Sequence, residues 1–177
     1  MDFTQNYFEL FGLAEGFELD LSDLSARYQK LQKALHPDKY ASASERERRI
    51  SLQQAAQVNS AFQTLKDPLS RARYLLELQG LSFDVEHSTI RDPEFLEQQM
   101  ELREELAEIK ESNDPISSVL EFLQQLDQTV KLCVEQLKHG FAAADEASLA
   151  QCFSIVNQLQ FIYRLQQEAE ALEEELL

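Results

Sequence analysis

A histidine and an aspartate stand two residues apart in the segment LHPDKY, as His36 and Asp38 on either side of Pro37. An imidazole and a carboxylate can act as general acid and base, or they can present charge and hydrogen bonds to another protein. Proline disfavours the helical conformation at the residue before it, so both side chains should lie on an open loop. Alternatively, Pro37 only ends a helix and its neighbours are solvated. The spacing alone leaves these interpretations open.

The helix leading into this loop is predicted over residues 20–35, where four leucines and a tyrosine recur every three or four positions. On a helical wheel, Lys30 and Lys33 face away from this apolar stripe and Arg27 flanks it. A basic face is usually only solvated surface, and Asp23 and Arg27 have the spacing of an ordinary ion pair. The sequence therefore predicts a positively charged helix in front of the loop.

Three other helices are predicted in the first half of the chain. Ser44 and Glu47 have the spacing of a capping box, and their helix should run to about Lys66 and pack antiparallel to the basic helix. The Asp67-Pro68 pair begins a short helix, and aromatic residues over 7–13 indicate another. The apolar stripe predicted for the long helix consists of Ile50, Val58, Ala61, Phe62 and Leu65.

Three longer helices are predicted in the second half, joined by short loops as in an antiparallel bundle. The first runs from Pro93 to about Glu111, and the second from Pro115 to about His139, before Gly140. The third runs from about residue 145 to the end. With only four glycines and four prolines, the whole chain is predicted to be all-α.

Two apolar groups in these helices do not follow the predicted core face. Leu96 and Met100 are i,i+4 neighbours that lie roughly 100° or more from Phe95 on the wheel, among acidic residues. On the same helical wheel, Phe161 points away from Leu159 and so lies off the predicted core face. Alternatively, the buried side of the last helix shifts along its length and includes Phe161. A small apolar patch with a charged rim is typical of a protein-binding surface.

The charge of the chain is distributed unevenly. The formal net charge is −16, and residues 1–79 carry 10 basic and 11 acidic side chains against 6 and 21 in residues 80–177. This balance argues against nucleic-acid binding, which needs clustered lysine and arginine. We also expect a soluble, intracellular protein, because the sequence has neither a membrane-length apolar run nor a secretory pattern in its first residues. Cys133 and Cys152 are predicted to be buried, reduced thiols, with a disulfide as the alternative.

The arrangement of the first half resembles the J-domain family. The resemblance rests on the short aromatic helix, the basic helix, HPDK at residues 36–39, the capped antiparallel helix and the short fourth helix. J-domains stimulate ATP hydrolysis by seventy-kilodalton heat-shock chaperones and have no ATPase of their own. The resemblance implies that His36, Pro37 and Asp38 contact the chaperone, and that Arg27, Lys30 and Lys33 steer the encounter with its acidic surface.

The second half resembles the bundle of the HscB family, the J-type co-chaperones of iron–sulfur cluster assembly. The resemblance rests on FLEQQMELREEL at residues 95–106 and QFIYRL at residues 160–165. In that family the bundle binds a scaffold of IscU type and delivers it to a dedicated chaperone of HscA type. The scaffold-facing residues implied by matching position are Leu96, Met100, Glu101, Arg103, Glu104 and Phe161. Glu97 departs from the family, which can have an apolar residue there.

The sequence thus predicts a bacterial, cytoplasmic co-chaperone with three parts: a J-domain over residues 1–79, a linker over 80–92 and a scaffold-binding bundle over 93–177. No enzyme activity, cofactor, metal, nucleic acid or membrane is expected. The eukaryotic relatives carry an N-terminal cysteine module, and nothing like it is found here. The alternatives are an enzyme using His36 and Asp38, a general J-protein delivering unfolded clients, and a purely structural helical adaptor.

Overall fold

A computed structural model describes residues 5–36, 44–81 and 93–177. Every regular element within these ranges is an α-helix, which confirms the all-α prediction. The helices are α1 (Tyr7–Phe11), α2 (Leu21–Ala34), α3 (Glu45–Lys66), α4 (Pro68–Leu78), α5 (Pro93–Ile109), α6 (Pro115–Ala143) and α7 (Glu146–Leu176). The chain divides into two compact units, Met1–Gln79 and Gly80–Leu177. The predictions for Pro37, Asp38 and most of the linker lie outside the described residues.

The first unit is built around the pair formed by α2 and α3, with α1 and α4 packed against it. Local sequence signals set most of its helix ends. The Ser44 hydroxyl accepts a hydrogen bond from the Glu47 backbone, and the Glu47 carboxylate accepts one from the Ser44 backbone, so the predicted capping box is present. The Ser44 hydroxyl also donates to the Glu47 carboxylate at 2.7 Å, and this bond together with the one from the Ser44 backbone lowers the pKa of the Glu47 carboxyl. Asp67 caps α4, which has Pro68 in its first turn.

The buried face of α3 differs from the prediction at one position. Ile50 was expected on the apolar stripe, but 39% of it is exposed. The next residue, Ser51, is buried instead, and its hydroxyl donates to the Leu35 carbonyl at 3.2 Å. On a helical wheel, the buried face is chosen from the hydropathy of the residues. This choice does not recognise a buried hydroxyl that has a hydrogen-bond partner on another helix. The first turns of α3 are therefore rotated relative to the predicted stripe, whereas Val58, Ala61, Phe62 and Leu65 are buried as expected.

The second unit is a bundle in which α6 and α7 form a long hairpin and α5 packs against both. Asp114 caps α6 and Asp145 caps α7, each accepting a hydrogen bond from a serine three residues later. The hydroxyl of the same serine also donates to each carboxylate, and these hydroxyl and backbone bonds lower the pKa of both carboxyl groups. The main core cluster consists of Leu102, Ile109, Val119, Phe122, Leu126, Ile162, Leu165, Ala169 and Leu172.

The predicted end of α6 is wrong. The helix continues past Gly140 to Ala143 and ends where Ala144 adopts a left-handed backbone with φ of 53°. Gly140 lies inside the helix, and its lack of a side chain allows close packing against α7. A Cβ at this position would lie 2.4 Å from Cys152 Sγ. Glycine inside a helix often marks such a close approach, whereas a sequence pattern treats it as a helix end.

The prediction for the two cysteines is confirmed. Cys133 and Cys152 are both buried free thiols. Burial disfavours the charged thiolate and raises the pKa of each thiol. Both residues therefore act as small apolar side chains in the α6–α7 interface.

Candidate partner-binding sites

His36 lies directly after α2, on the exposed side of the first unit. The helix ends at Ala34, and Leu35 forms its C-terminal cap, with its N–H donating to the Leu31 carbonyl at 3.0 Å. Leu35 is buried while His36 is exposed, so the chain turns from the core towards solvent within one residue. The other two residues of the predicted chaperone contact, Pro37 and Asp38, lie outside the described residues.

A shallow groove of about 300 Å³ begins beside His36 and runs between α2 and α3. Its walls combine the apolar side chains of Leu35 and Ala55 with polar and basic groups. The lining residues are Gln29, Gln32, Lys33, Leu35, His36, Ala55 and Asn59. A concave, partly apolar surface next to an exposed imidazole and a lysine is suited to a protein partner.

The three basic residues predicted to steer a chaperone have different surroundings. Lys30 and Lys33 are exposed on α2. Arg27 is half-buried: its Nε lies 2.9 Å from a carboxylate oxygen of Asp23, and one terminal nitrogen donates to the carbonyls of Phe11 and Gly12 at 2.9 Å each. Arg27 thus satisfies carbonyl groups at the end of α1. The ordinary ion pair considered from the spacing is present.

A polar cluster that the sequence analysis missed joins α2 to α3, and two of its members, Gln32 and Asn59, line the groove beside His36. The Tyr28 hydroxyl donates to Asn59 Oδ1 at 3.1 Å, and the Gln32 amide donates to the same oxygen at 3.1 Å. The Tyr28 ring also stacks on Phe62 at a centroid distance of 4.0 Å. The sequence signals were Tyr28 within the predicted α2 stripe, Gln32 beside it and Asn59 on α3. Whether these residues pair depends on how the two helices are rotated.

The predicted scaffold-binding residues on α5 lie largely on its exposed face. Leu96 and Met100 are 49% and 63% exposed, one helical turn apart. Glu101 and Glu104 are also exposed, as is Glu97, which occupies the position where this chain departs from the family pattern. Leu96 and Met100 thus form a small apolar surface bounded by carboxylates, which suits contact with another protein.

Phe161 links this face of α5 to α7. Its ring meets Phe95 edge to face at a centroid distance of 6.2 Å, and the Arg103 guanidinium lies 5.7 Å from the centre of the same ring. Phe161 is half-buried and packs against the main core cluster, and Leu165 and Leu172 further along the same helix are buried members of that cluster. The buried side of α7 therefore does shift along its length, as the alternative interpretation held. Phe161 still retains exposed surface at the α5–α7 junction.

The described residues offer little for other chemistry. Over those ranges, no three His, Cys, Asp or Glu side chains are grouped to hold a metal ion. None of the helices described is both long and apolar enough to cross a membrane. The features that stand out are the exposed His36 surface of the first unit and the apolar, acid-rimmed surface of the second.

Comparison with protein families gives two matches that follow the division of the chain. A DnaJ domain model matches residues 6–74, and a model described as the HSCB C-terminal oligomerisation domain matches residues 91–170. Co-chaperone relatives match over nearly the full length of both chains. The co-chaperone protein HscB homolog of Aliivibrio fischeri is 48% identical over 172 residues, covering 97% of this chain and 99% of its own. The homolog of Shewanella pealeana is 44% identical, with the same coverage.

Solved structures give the same result. Chaperone HscB from Vibrio cholerae has a TM-score of 0.87 at 44% identity and covers 98% of this chain and 100% of its own. The human co-chaperone HscB has a TM-score of 0.86 at 28% identity and covers 100% and 86%. A J-type co-chaperone is therefore the class that the fold and the matches define. The chain belongs to the HscB family, the J-type co-chaperones of iron–sulfur cluster assembly named by the sequence resemblance.

Proposed function

We propose that this protein binds an IscU-type scaffold through its helical bundle, delivers it to an HscA-type chaperone and stimulates the ATPase of that chaperone through its J-domain. The proposal rests on the observation that two exposed surfaces, one basic and one apolar with an acidic rim, lie on different units of the chain. One presents an imidazole and lysines, and the other presents apolar side chains among carboxylates. Such a pair suits an adaptor with two different partners.

The chaperone-binding surface is proposed to comprise Lys30, Lys33, His36, Pro37 and Asp38, with the half-buried Arg27 one helical turn before Lys30 on α2. Exposed lysines attract an acidic partner over roughly a Debye length, about 8 Å at physiological salt, and so raise the rate of encounter. His36 follows the buried cap Leu35, whose N–H and carbonyl are both hydrogen-bonded, so its backbone loses little freedom when it meets the partner. The protein itself needs no nucleotide for this role, since the ATP is bound and hydrolysed by the chaperone.

The scaffold-binding surface is proposed to centre on Leu96 and Met100, with Phe161 at its edge. Apolar anchors near the centre of an interface usually contribute most of its binding energy, and surrounding polar groups exclude water and set the orientation. Here the surrounding groups are the carboxylates of Glu101 and Glu104 and the Arg103 guanidinium. The exposed Glu97 adds a further carboxylate, which favours a scaffold surface that carries basic groups.

The mechanism follows from joining the two surfaces in one chain. Once the scaffold is bound, its effective concentration near the chaperone is set by the chain and not by diffusion. The J-domain then promotes hydrolysis while the client is in place, and hydrolysis locks the chaperone on the scaffold so that cluster transfer to acceptors is favoured. The iron–sulfur cluster is cargo of the scaffold in this scheme. We infer that the protein acts in the bacterial cytoplasm and has no catalytic activity of its own.

His36→Gln tests the chaperone arm of the proposal. We expect stimulation of an HscA-type ATPase to be lost in steady-state assays, while helicity by circular dichroism and scaffold affinity stay unchanged. His36 is exposed, and substitutions of this kind shift the free energy of unfolding by under about 0.5 kcal/mol. His139 is also exposed but lies on α6, so His139→Gln is the matched control. Undiminished stimulation by His36→Gln would refute this assignment.

Leu96→Ala and Met100→Ala test the scaffold arm. Each is expected to weaken IscU-type scaffold binding by about 1 to 2 kcal/mol in calorimetry, as for a typical anchor residue. Leu132 is equally exposed on α6, so Leu132→Ala is a control that should leave affinity unchanged. Unchanged affinity in both variants would contradict the proposed site. Binding to extended apolar peptides without binding to the folded scaffold would instead indicate a general J-protein.

A further inference from the structure

The peptide unit between Leu35 and His36 is held by a side chain from another helix. Carbonyl groups at the end of a helix lack partners within the helix and must find them elsewhere. The Leu35 carbonyl accepts a hydrogen bond from the Ser51 hydroxyl on α3 at 3.2 Å, across 16 residues of sequence. Ser51 is only 4% exposed, so water cannot readily replace this bond.

This hydrogen bond acts directly on the position of His36. The peptide unit is planar, so fixing the Leu35 carbonyl also fixes the backbone nitrogen of His36 and the direction of its Cα. A serine inside a helix usually bonds to a carbonyl four residues earlier in its own helix or to solvent. Ser51 instead reaches across to the C-cap of α2, at Leu35, the buried residue that directly precedes the exposed His36.

The polar cluster of Tyr28, Gln32 and Asn59 provides a second fixed point on the same two helices. Asn59 lies eight residues after Ser51 on α3, about 12 Å along the axis. Apolar contacts are non-directional and allow packed helices to rotate or slide slightly, whereas hydrogen bonds require a defined geometry. With α2 bonded to α3 at Asn59 and again at Ser51, the last two turns of α2 have a fixed register and a fixed exit direction.

We propose that Ser51 is a positioning residue for chaperone stimulation: its buried hydroxyl orients the Leu35–His36 peptide unit and thereby aims His36 at the chaperone. This inference rests on the proposed function, since it assumes that His36 contacts an HscA-type chaperone. Ser51 itself is buried and does not touch the partner. Loss of its hydroxyl should therefore lower the maximal stimulation of the chaperone ATPase. The rate of encounter with the chaperone should not change, because the exposed lysines Lys30 and Lys33 govern it.

The test compares Ser51→Ala, Ser51→Thr and Ser60→Ala in the full-length chain, with steady-state ATPase of an HscA-type chaperone as the readout. Ser51→Ala removes the hydroxyl, and we expect maximal stimulation to fall about fivefold, the factor that corresponds to one typical net hydrogen bond. The concentration for half-maximal stimulation should change less than about twofold. Ser51→Thr keeps the hydroxyl and should retain stimulation. Ser60 is exposed on the same helix, and Ser60→Ala should behave like the unchanged protein.

Three outcomes would overturn the inference. If the Ser51→Ala variant is folded and stimulates the ATPase fully, the hydroxyl is not needed. If the Ser51→Thr variant loses as much maximal stimulation as Ser51→Ala, and circular dichroism shows both to be folded at the assay temperature, the hydroxyl is again not needed. Ser51→Ala that is unfolded at that temperature assigns the residue a purely structural role. The proposed function fails separately, if the unchanged chain gives no stimulation or if His36→Gln retains it.

Discussion

Arg27 and Lys30 lie one helical turn apart on α2, yet their side chains have different surroundings. The resemblance to J-domains implies that both steer the chaperone. The Arg27 guanidinium bonds to both oxygens of Asp23 and to the carbonyls of Phe11 and Gly12, whereas Lys30 is exposed. A guanidinium with several partners of its own chain is less available to an external carboxylate. We therefore interpret Arg27 mainly as the residue that ties α1 to α2.

Arg27→Ala should destabilise the first unit. The carbonyls of Phe11 and Gly12 would lose their shared donor, and we expect the free energy of unfolding to fall by about 1 to 2 kcal/mol in chemical denaturation. Under conditions where the variant is folded, maximal stimulation of the chaperone ATPase should be retained.

Lys30→Ala is the matched comparison and should show the opposite behaviour. Its unfolding free energy should change by less than about 0.5 kcal/mol, while more protein is needed for half-maximal stimulation at low salt. If Arg27→Ala has unchanged stability but needs a higher concentration to stimulate, then Arg27 is a steering residue after all.

At the scale of helices, Gly140 sets how closely α6 and α7 approach. Replacing an internal glycine by alanine in an unobstructed helix should stabilise it by about 1 kcal/mol. Here the new Cβ would lie 2.4 Å from Cys152 Sγ, a distance that forces one of the helices or side chains to move. Overpacking a buried contact costs about 1 to 3 kcal/mol. The steric cost should therefore exceed the gain in helix propensity.

Gly140→Ala is accordingly expected to lower the melting temperature of the bundle, as followed by circular dichroism. Cys152→Ala removes the obstructing sulfur and leaves a small space, so the double variant Gly140→Ala, Cys152→Ala should be more stable than the sum of the two single effects. Additive effects in this double-mutant cycle would show that the two residues do not share the contact. An increase in stability for Gly140→Ala alone would contradict the close approach itself.

The helices also show which structural features can be predicted from the sequence. The caps at Ser44, Asp67 and Asp114 follow from the residues next to them, because an N-cap bond joins groups only a few positions apart. The burial of Ser51 and the continuation of α6 past Gly140 depend on partners on other helices. A periodic pattern records hydropathy along one helix and contains no information on these partners.

The residues of the candidate sites also differ in whether the sequence of one helix is enough to predict their positions. Leu96 and Met100 were predicted to lie off the core face, and both are exposed, since helical spacing alone decides this. Phe161 was harder to predict, because its surroundings depend on Phe95 and Arg103 from α5. Their approach to α7 is a property of the packed bundle. The cluster of Tyr28 and Asn59 escaped prediction for the same reason.

At the scale of the whole molecule, charge separates the two units. Residues 1–79 have a net charge of −1 and residues 80–177 of −15, from 10 basic and 11 acidic residues against 6 and 21. A bundle with this net negative charge repels an acidic surface of the proposed chaperone partner, and the basic groups on α2 attract it. The charge distribution therefore favours approach of the chaperone to the first unit and leaves the bundle for a different partner.

The strongest test of the adaptor mechanism is to place the two functions on separate chains. His36→Gln should bind scaffold but not stimulate, and the double variant Leu96→Ala, Met100→Ala should stimulate the chaperone alone but not deliver scaffold. An equimolar mixture of these two variants should fail to restore scaffold-dependent stimulation, because tethering supplies an effective concentration on the order of millimolar only within one chain. The unchanged protein at the same molar concentration as either variant is the control. Full activity of the mixture in ATPase assays would show that the two surfaces cooperate between chains, and a single-chain tether would then be ruled out.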